Sequence, residues 1–89
     1  MKVYLVGDRG PEHNSIRSIH RTRDGAFKAW NELRLELLRE AKAYLKNASN
    51  GFGKEMYERI VKNLSRKDPK KIDNYPHETP YIHECDLQE

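Results

Sequence analysis

The chain has 89 residues and one cysteine, 36% of its residues are hydrophobic and 35% are charged, and its formal net charge is +3. A chain of this length predicts one domain, residues 1–89, with a core near the lower limit for independent stability. The lone Cys85 excludes an internal disulfide and is typical of a reducing compartment. No apolar run approaches the roughly 20 residues of a membrane span, so we expect a cytoplasmic protein without a membrane partner.

The first two predicted elements are β-strands. Residues 2–6 are apolar, β-branched and aromatic, which is typical of a central strand. The glycines and proline of residues 7–11 then predict a turn. Residues 15–21 predict a second strand, which forms an antiparallel hairpin with the first. Its anchors Ile16 and Ile19 are three residues apart, so either a β-bulge separates them or one of them faces outward.

The longest predicted element is a helix over residues 22–47. Its apolar residues recur at steps of three and four, which places them on one helical face. This row comprises Ala26, Phe27, Trp30, Leu33, Leu37, Ala41, Tyr44 and Leu45. Leu35 and Leu38 form a second row beside it. The charged residues between the rows, which include Arg34, predict a solvent face.

The remaining elements are a second helix and a third strand. Residues 47–53 contain the Asn, Ser and Gly that predict a break, and residues 54–66 return to helical spacing. This second helix is expected to pack antiparallel on the first. Residues 70–80 predict an irregular segment, and residues 81–88 alternate as a strand that pairs with the N-terminal one. The predicted fold is therefore α+β in the order β-β-α-α-β, a three-stranded antiparallel sheet with two helices on one face.

Three segments resemble a family of small uncharacterised domains from bacteriophage and bacterial genomes. They are the opening strand at residues 2–6, the entry into the helix at residues 19–22 and the closing strand at residues 81–87. Residues 52–80 depart from that pattern and look like a helical insertion followed by an irregular crossing segment. The resemblance implies a phage or prophage accessory protein without catalytic residues. Such a protein would bind a host protein in the host cytoplasm, and inhibition of a host-defence system, as anti-CRISPR proteins do, is one implied outcome.

Protein binding is the first functional hypothesis. Two amphipathic helices have more apolar surface than a three-stranded sheet covers, which leaves a patch for a host protein or for a second copy in a homodimer. The candidate contact residues are Leu35, Leu38, Phe52 and Tyr57. The alternative is that the second helix buries both leucines and that Phe52 fills the base of the core.

Nucleic-acid binding is the second hypothesis. One basic cluster at the strand-to-helix junction comprises Arg17, Arg21 and Arg23, and another after the second helix comprises Lys62, Arg66, Lys67, Lys70 and Lys71. Such groups can neutralise phosphates, with an affinity that falls as salt rises. The alternative is that they stabilise the helix dipole and keep the surface hydrated.

The sequence patterns that would indicate metal binding or catalysis are weaker. His77, His83 and Cys85 are capable ligands near the C-terminus, but no Cys-x-x-Cys or similar spacing organises them. The aspartates are scattered among predicted turns and caps, so no catalytic pair is indicated. The sequence therefore predicts no enzyme, no cofactor and no metal site.

Overall fold

The computed structural model describes residues 1–10, 13–48, 51–73 and 77–87, with the side chain of Phe52 excepted. In chain order the elements are β1 (Lys2–Arg9), β2 (Asn14–His20), α1 (Arg23–Asn47), α2 (Gly51–Leu64), a 3-10 turn (Pro69–Lys71) and β3 (Thr79–Asp86). The strands form one antiparallel sheet in the order β2-β1-β3. The predicted α+β fold and its order of elements are confirmed.

β1 continues beyond the point where the sequence predicts a turn. Gly7 pairs with Ile16 of β2 and with Tyr81 of β3, so it lies within the sheet. A Cβ atom at this position would collide with the backbone carbonyl oxygen of Ser15. The prediction of a turn at residue 7 is therefore wrong, because this glycine permits two strands to approach closely.

β2 contains a β-bulge, which is one of the two alternatives that the spacing of Ile16 and Ile19 leaves open. Val6 is opposite Ser18 whereas Gly7 is opposite Ile16, which leaves Arg17 as the extra residue. The bulge restores the alternation, so Ile16 and Ile19 share one face of the sheet. Both point away from the helices and are 58% and 64% exposed. This side, which also includes Leu5, is called the open face below.

α1 lies on the opposite side, called the covered face, which includes Tyr4, Val6 and Asp8 of β1. The helix begins after Thr22, whose hydroxyl accepts a hydrogen bond from the Gly25 N–H at 3.1 Å. Trp30 is fully buried, and its Nε1–H donates to the carbonyl oxygen of Pro80 at 3.2 Å. The indole therefore packs α1 against β3 and satisfies its own polar atom.

α2 packs along α1, and its predicted boundaries of 54–66 are wrong at both ends. It begins at Gly51. The first amides of a helix have no hydrogen-bond partner within it, so a glycine at this position does not interrupt the helix. It ends at Leu64, which packs in the core with Leu38 and Ile72. Neither α1 nor α2, in the described chain, is long and apolar enough to cross a membrane.

Arg34 is buried, so its assignment to a solvent face is wrong. Only 4% of the residue is exposed, and its Nη1 donates to the carbonyl oxygen of Leu64 at 2.9 Å. Its Nε and Nη2 donate to Oδ1 of Asn31 at 3.1 and 2.8 Å. The cation thus caps the C-terminal end of α2, where the helix dipole is negative, and connects the two helices.

Candidate functional site

A cluster of Asp8, His13 and Glu78 lies at one end of the sheet. One ligand-type atom from each residue lies within 4.8 Å of the others. The strand register explains how distant residues meet. Arg9, next to Asp8, is opposite both Asn14 and Thr79, so the residues preceding those two, His13 and Glu78, come together there.

The two oxygens of the Asp8 carboxylate have different partners. Oδ1 accepts a hydrogen bond from Nε of Arg17 at 2.8 Å. Oδ2 lies 3.4 Å from Nε2 of His13, and the same nitrogen lies 3.4 Å from Oε1 of Glu78. The side chain of Asp8 is only 4% exposed, whereas those of His13 and Glu78 are 47% and 39% exposed. The cluster is thus a half-open site with one buried carboxylate.

The two carboxyl groups have opposite pKa shifts. Burial tends to raise the pKa of Asp8, but its hydrogen bond with Glu78 and its bond and ion pair with Arg17 outweigh burial and lower that pKa to about 2. The pKa of Glu78 is raised, first by its hydrogen bond with Asp8, then by burial and by the charge of Asp8. As pH falls, Glu78 is therefore the first of the two carboxyl groups to take up a proton.

The connection between β1 and β2 positions the His13 ring. The Gly10 N–H donates to the carbonyl oxygen of His13 at 2.8 Å. The ring lies so close to Gly10 that a Cβ there would be 2.7 Å from its Cε1. Gly10 thus leaves space for the imidazole to reach Asp8.

The metal-capable residues singled out from the sequence do not come together. His77 accepts a hydrogen bond from Nδ2 of Asn63 at its Nε2, at 2.9 Å, and its Nδ1 lies 3.1 Å from the carbonyl oxygen of Glu78. Burial lowers the pKa of His77, which favours the neutral ring in this position. His83 and Cys85 lie on β3, and no group of three metal-capable side chains within the described chain includes them.

The open face presents apolar side chains beside two basic ones. A hollow of about 300 Å³ is lined by Leu5, Arg9, Asn14, Ile16, Tyr81 and His83. The guanidinium of Arg9 lies 4.8 Å from the centre of the Tyr81 ring, a cation–π contact. Among described strand residues whose register places them on this face, none is an acid.

A groove on the other side brings the two predicted basic clusters together. It has a volume of about 420 Å³ and is lined by Tyr4, Arg23, Phe27, Asp68, Pro69, Lys70, Ile82 and Glu84. Arg23 comes from the first cluster and Lys70 from the second. Phe27 is 45% exposed, so its ring is accessible. The negative charges of Asp68 and Glu84 balance the positive charges of Arg23 and Lys70 in this groove.

The other predicted basic residues have mixed environments. Arg17 is paired with Asp8, and Nη1 of Arg66 donates to the carbonyl oxygen of Lys71 at 2.8 Å and lies 3.2 Å from Oδ2 of Asp73. The rest are exposed: Arg21, Lys62, Lys67 and Lys71.

The predicted protein-binding residues are also divided. Leu38 is 8% exposed and belongs to the chain's own core, so it offers no surface to a partner. Leu35 is 42% exposed. Tyr57 stacks on Tyr44 with ring centres 5.4 Å apart. The side chain of Phe52 lies outside the described residues.

Sequence reasoning missed both the Asp8–His13–Glu78 cluster and the open face. The bulge suggested by the Ile16–Ile19 spacing was the available signal for the open face. Comparisons with protein-family models, curated proteins and solved structures found no match for the chain. The resemblance to phage accessory domains therefore stays a prediction, and the geometry is the remaining guide to function.

Proposed function

We propose that this chain is a non-catalytic protein-binding domain that binds its partner through the open face. The supporting observation is the exposure of Ile16 and Ile19 beside the hollow that Leu5 helps to line. Two large aliphatic side chains that are more than half exposed on one sheet face gain free energy when a partner covers them. The predicted patch on α1 is less suitable, because Leu38 is buried.

The charges on this face define the partner's chemistry. Arg9 and His83 flank the apolar residues, and no acid shares the face within the described strands. A partner with apolar side chains beside a carboxylate would cover the leucine and isoleucines and pair with Arg9. A second copy lacks that carboxylate, so a symmetric dimer through this face would leave Arg9 without an opposite charge. A different protein is therefore the proposed occupant.

The identity of a host target rests on the family resemblance. If the chain is a phage-type accessory protein, the partner is a host protein and binding inhibits or modulates it. Inhibition of a host-defence system stays part of this proposal. The geometry supports only the class of partner, an apolar and acidic surface.

Capture from a bacterial extract, followed by affinity measurements on the purified partner, tests the proposal. The informative variants are the double change Ile16→Ser with Ile19→Ser, and separately Arg9→Glu. Leu35→Ser, on the solvent side of α1, is the matched control. We expect each open-face variant to weaken binding at least about tenfold, equivalent to about 1.4 kcal/mol, and the control to bind like the wild type. A partner whose affinity is unchanged by the open-face variants would contradict the proposal.

Nucleic-acid binding through the groove is the second candidate. The observation that favours it is the meeting of Arg23 and Lys70 beside the accessible ring of Phe27. Cations that contact phosphates and an aromatic ring that stacks on a base are the elements of single-strand binding. Asp68 and Glu84 in the same groove oppose an anionic ligand, which ranks this candidate second.

A fluorescent single-stranded oligonucleotide is the direct probe for the groove. Binding at roughly 50 mM salt that falls steeply with added salt and is lost in the Arg23→Gln, Lys70→Gln double variant would support this candidate. No binding at that salt concentration would exclude it. Lys62→Gln, on an exposed part of α2, controls for a general loss of positive charge.

A further inference from the structure

The Asp8–His13–Glu78 cluster has a spacing that suits a small cation. A tetrahedral ion with ligand bonds of about 2.0–2.1 Å has ligand atoms separated by about 3.3–3.4 Å. Nε2 of His13 lies 3.4 Å from Oδ2 of Asp8 and 3.4 Å from Oε1 of Glu78. The third pair lies within 4.8 Å, and a small rotation of the half-exposed Glu78 side chain would shorten it.

The donor atoms indicate the kind of ion. One imidazole nitrogen and two carboxylate oxygens form a mixed nitrogen and oxygen set. Mg²⁺ and Ca²⁺ take oxygen ligands, whereas an imidazole suits Zn²⁺ and neighbouring transition metals. Three protein ligands also leave a fourth tetrahedral position for water, because Glu78 and His13 are on the solvent side of the cluster.

The charges of the cluster also suit a cation. Two carboxyl groups share one small space, and the adjacent guanidinium of Arg17 donates its hydrogen bond to Oδ1 of Asp8. Oδ2 of Asp8 and Oε1 of Glu78 both point at the same imidazole nitrogen. A divalent ion between them would offset the repulsion of two ionised carboxylates.

We propose that Asp8, His13 and Glu78 form a binding site for a divalent transition-metal ion, preferentially Zn²⁺. Its ligands are Oδ2 of Asp8, Nε2 of His13 and Oε1 of Glu78. The ion would join the β1–β2 connection to the start of β3. Because Arg9 follows Asp8 and lines the open face, the metal would fix the end of the surface assigned to protein binding. The metal site does not depend on that assignment.

The competing explanation is a cluster of ion pairs without metal affinity, in which a protonated His13 bridges the two carboxylates. Arg17 distinguishes the two explanations. In a purely ionic cluster, Arg17 is one more stabilising cation, and its removal has no zinc-dependent consequence. In a metal site, the positive charge of Arg17 repels a divalent ion held by Asp8, so its replacement by Gln, which keeps a hydrogen-bond donor for Oδ1, increases zinc affinity.

Titration of the metal-free chain with ZnCl₂ in competition with a chromophoric chelator tests the site. We expect one ion per chain with a micromolar or tighter dissociation constant, and an increase in melting temperature when zinc is present. His13→Ala and Glu78→Gln are each expected to weaken zinc binding at least about tenfold. Both side chains are partly exposed, so both variants are expected to fold, as circular dichroism would check.

The control and the charge variant complete the test. His83→Gln removes an exposed histidine outside the cluster and is expected to leave zinc affinity unchanged. Arg17→Gln is expected to lower the melting temperature of the metal-free chain but to raise zinc affinity. The proposal is overturned by the absence of micromolar zinc binding, by equal binding in Glu78→Gln, by a loss caused by His83→Gln, or by weaker zinc binding in Arg17→Gln.

Discussion

The two faces of the sheet use similar residues in opposite ways. On the covered face, Val6 is 1% exposed and packs in the core with the fully buried Trp30. On the open face, Ile16 and Ile19 are 58% and 64% exposed. Alternation along β1 places Leu5 and Val6 on opposite faces, although Val3, which shares the open face with Leu5, is only 6% exposed.

This difference in exposure separates the face that stabilises the fold from the face on which the proposed function depends. Burial of an aliphatic side chain stabilises a fold by about 1.5–3 kcal/mol, and the open-face isoleucines gain only part of that. A small chain can ill spare apolar residues from its core. Their exposure on the open face is the observation that supports the proposed protein-binding function.

The largest expected effect is on the covered face. Trp30→Ala should lower the free energy of unfolding by about 3–5 kcal/mol, because it leaves a large cavity and removes a hydrogen bond to the carbonyl oxygen of Pro80. Urea denaturation followed by circular dichroism measures this loss. Phe27→Ala, at a residue that stacks on Trp30 but is 45% exposed, should cost clearly less. Equal losses would contradict the placement of Trp30, rather than Phe27, at the centre of the core.

The next effect is at Gly7, which lies in β1 between β2 and β3. Gly7→Ala should destabilise the chain by about 1–3 kcal/mol, because the added Cβ meets the backbone of Ser15 and the hydroxyl of Tyr81. Gly51→Ala is the matched control, since the added Cβ would meet no described atom within 4 Å beyond its chain neighbours and the backbone of its own helix. It should be neutral or stabilise by about 0.4–1 kcal/mol. An unchanged stability of Gly7→Ala in denaturation would contradict the bulged register.

A smaller effect depends on pH and concerns Glu78 in the Asp8–His13–Glu78 cluster. The ordinary pKa of Glu78 is 4.5, and folding raises it. In the pH range above 4.5, the folded chain holds a proton that the unfolded chain has released, so this contribution to stability is present below pH 4.5 and declines as pH rises through the raised pKa. Glu78→Gln removes that decline and should raise the melting temperature at pH 8 relative to the wild type.

Melting curves from pH 4 to pH 8, recorded with a chelator, test this prediction. The exposed Glu58→Gln is the control and should not alter the pH profile. Asp8 has the opposite sign, because its pKa falls from 3.8 to about 2. Its contribution is present above pH 3.8 and is lost as pH falls toward 2. A Glu78→Gln variant whose melting temperature follows the wild-type profile would show that the carboxyl pair is not coupled.

The smallest effect is on the open face. Ile19→Thr should change the free energy of unfolding by no more than about 0.5 kcal/mol, because the side chain is already mostly in water. Val6→Thr places a hydroxyl group in the core and should cost about 1–3 kcal/mol. Chemical denaturation of the pair compares the two faces directly. A loss for Ile19→Thr as large as that for Val6→Thr would remove the distinction between them.

The regular elements were predictable because their patterns are local. The helical spacing defines α1 within one segment, and the predicted bounds of 22–47 agree with the structure to one residue. Boundaries that depend on glycine were less predictable. The sequence predicts an interruption at both Gly7 and Gly51, although Gly7 lies inside a strand and Gly51 begins a helix. A glycine's role depends on what approaches it, and the local sequence does not contain that information.

The Asp8–His13–Glu78 cluster was not predictable for a related reason. Its members come from β1, from the connection to β2 and from just before β3, so their proximity depends on the register of both strand pairs. Arg34 is a similar case. A cation among charged neighbours predicts a solvent face, and only the position of the end of α2 explains its burial.

The position of β1 between its two neighbours also affects how the chain folds. β2 is available almost immediately, but Lys2 is opposite Asp86, so β3 can pair only after every other element has been synthesised. A two-stranded hairpin alone is at best marginally stable in water. The pair of α1 and α2 can associate early through local contacts, whereas docking of β3 requires closure of nearly the whole chain. Until then, Trp30 lacks its bond to Pro80 and remains accessible, and we expect docking of β3 to be the rate-limiting step of folding.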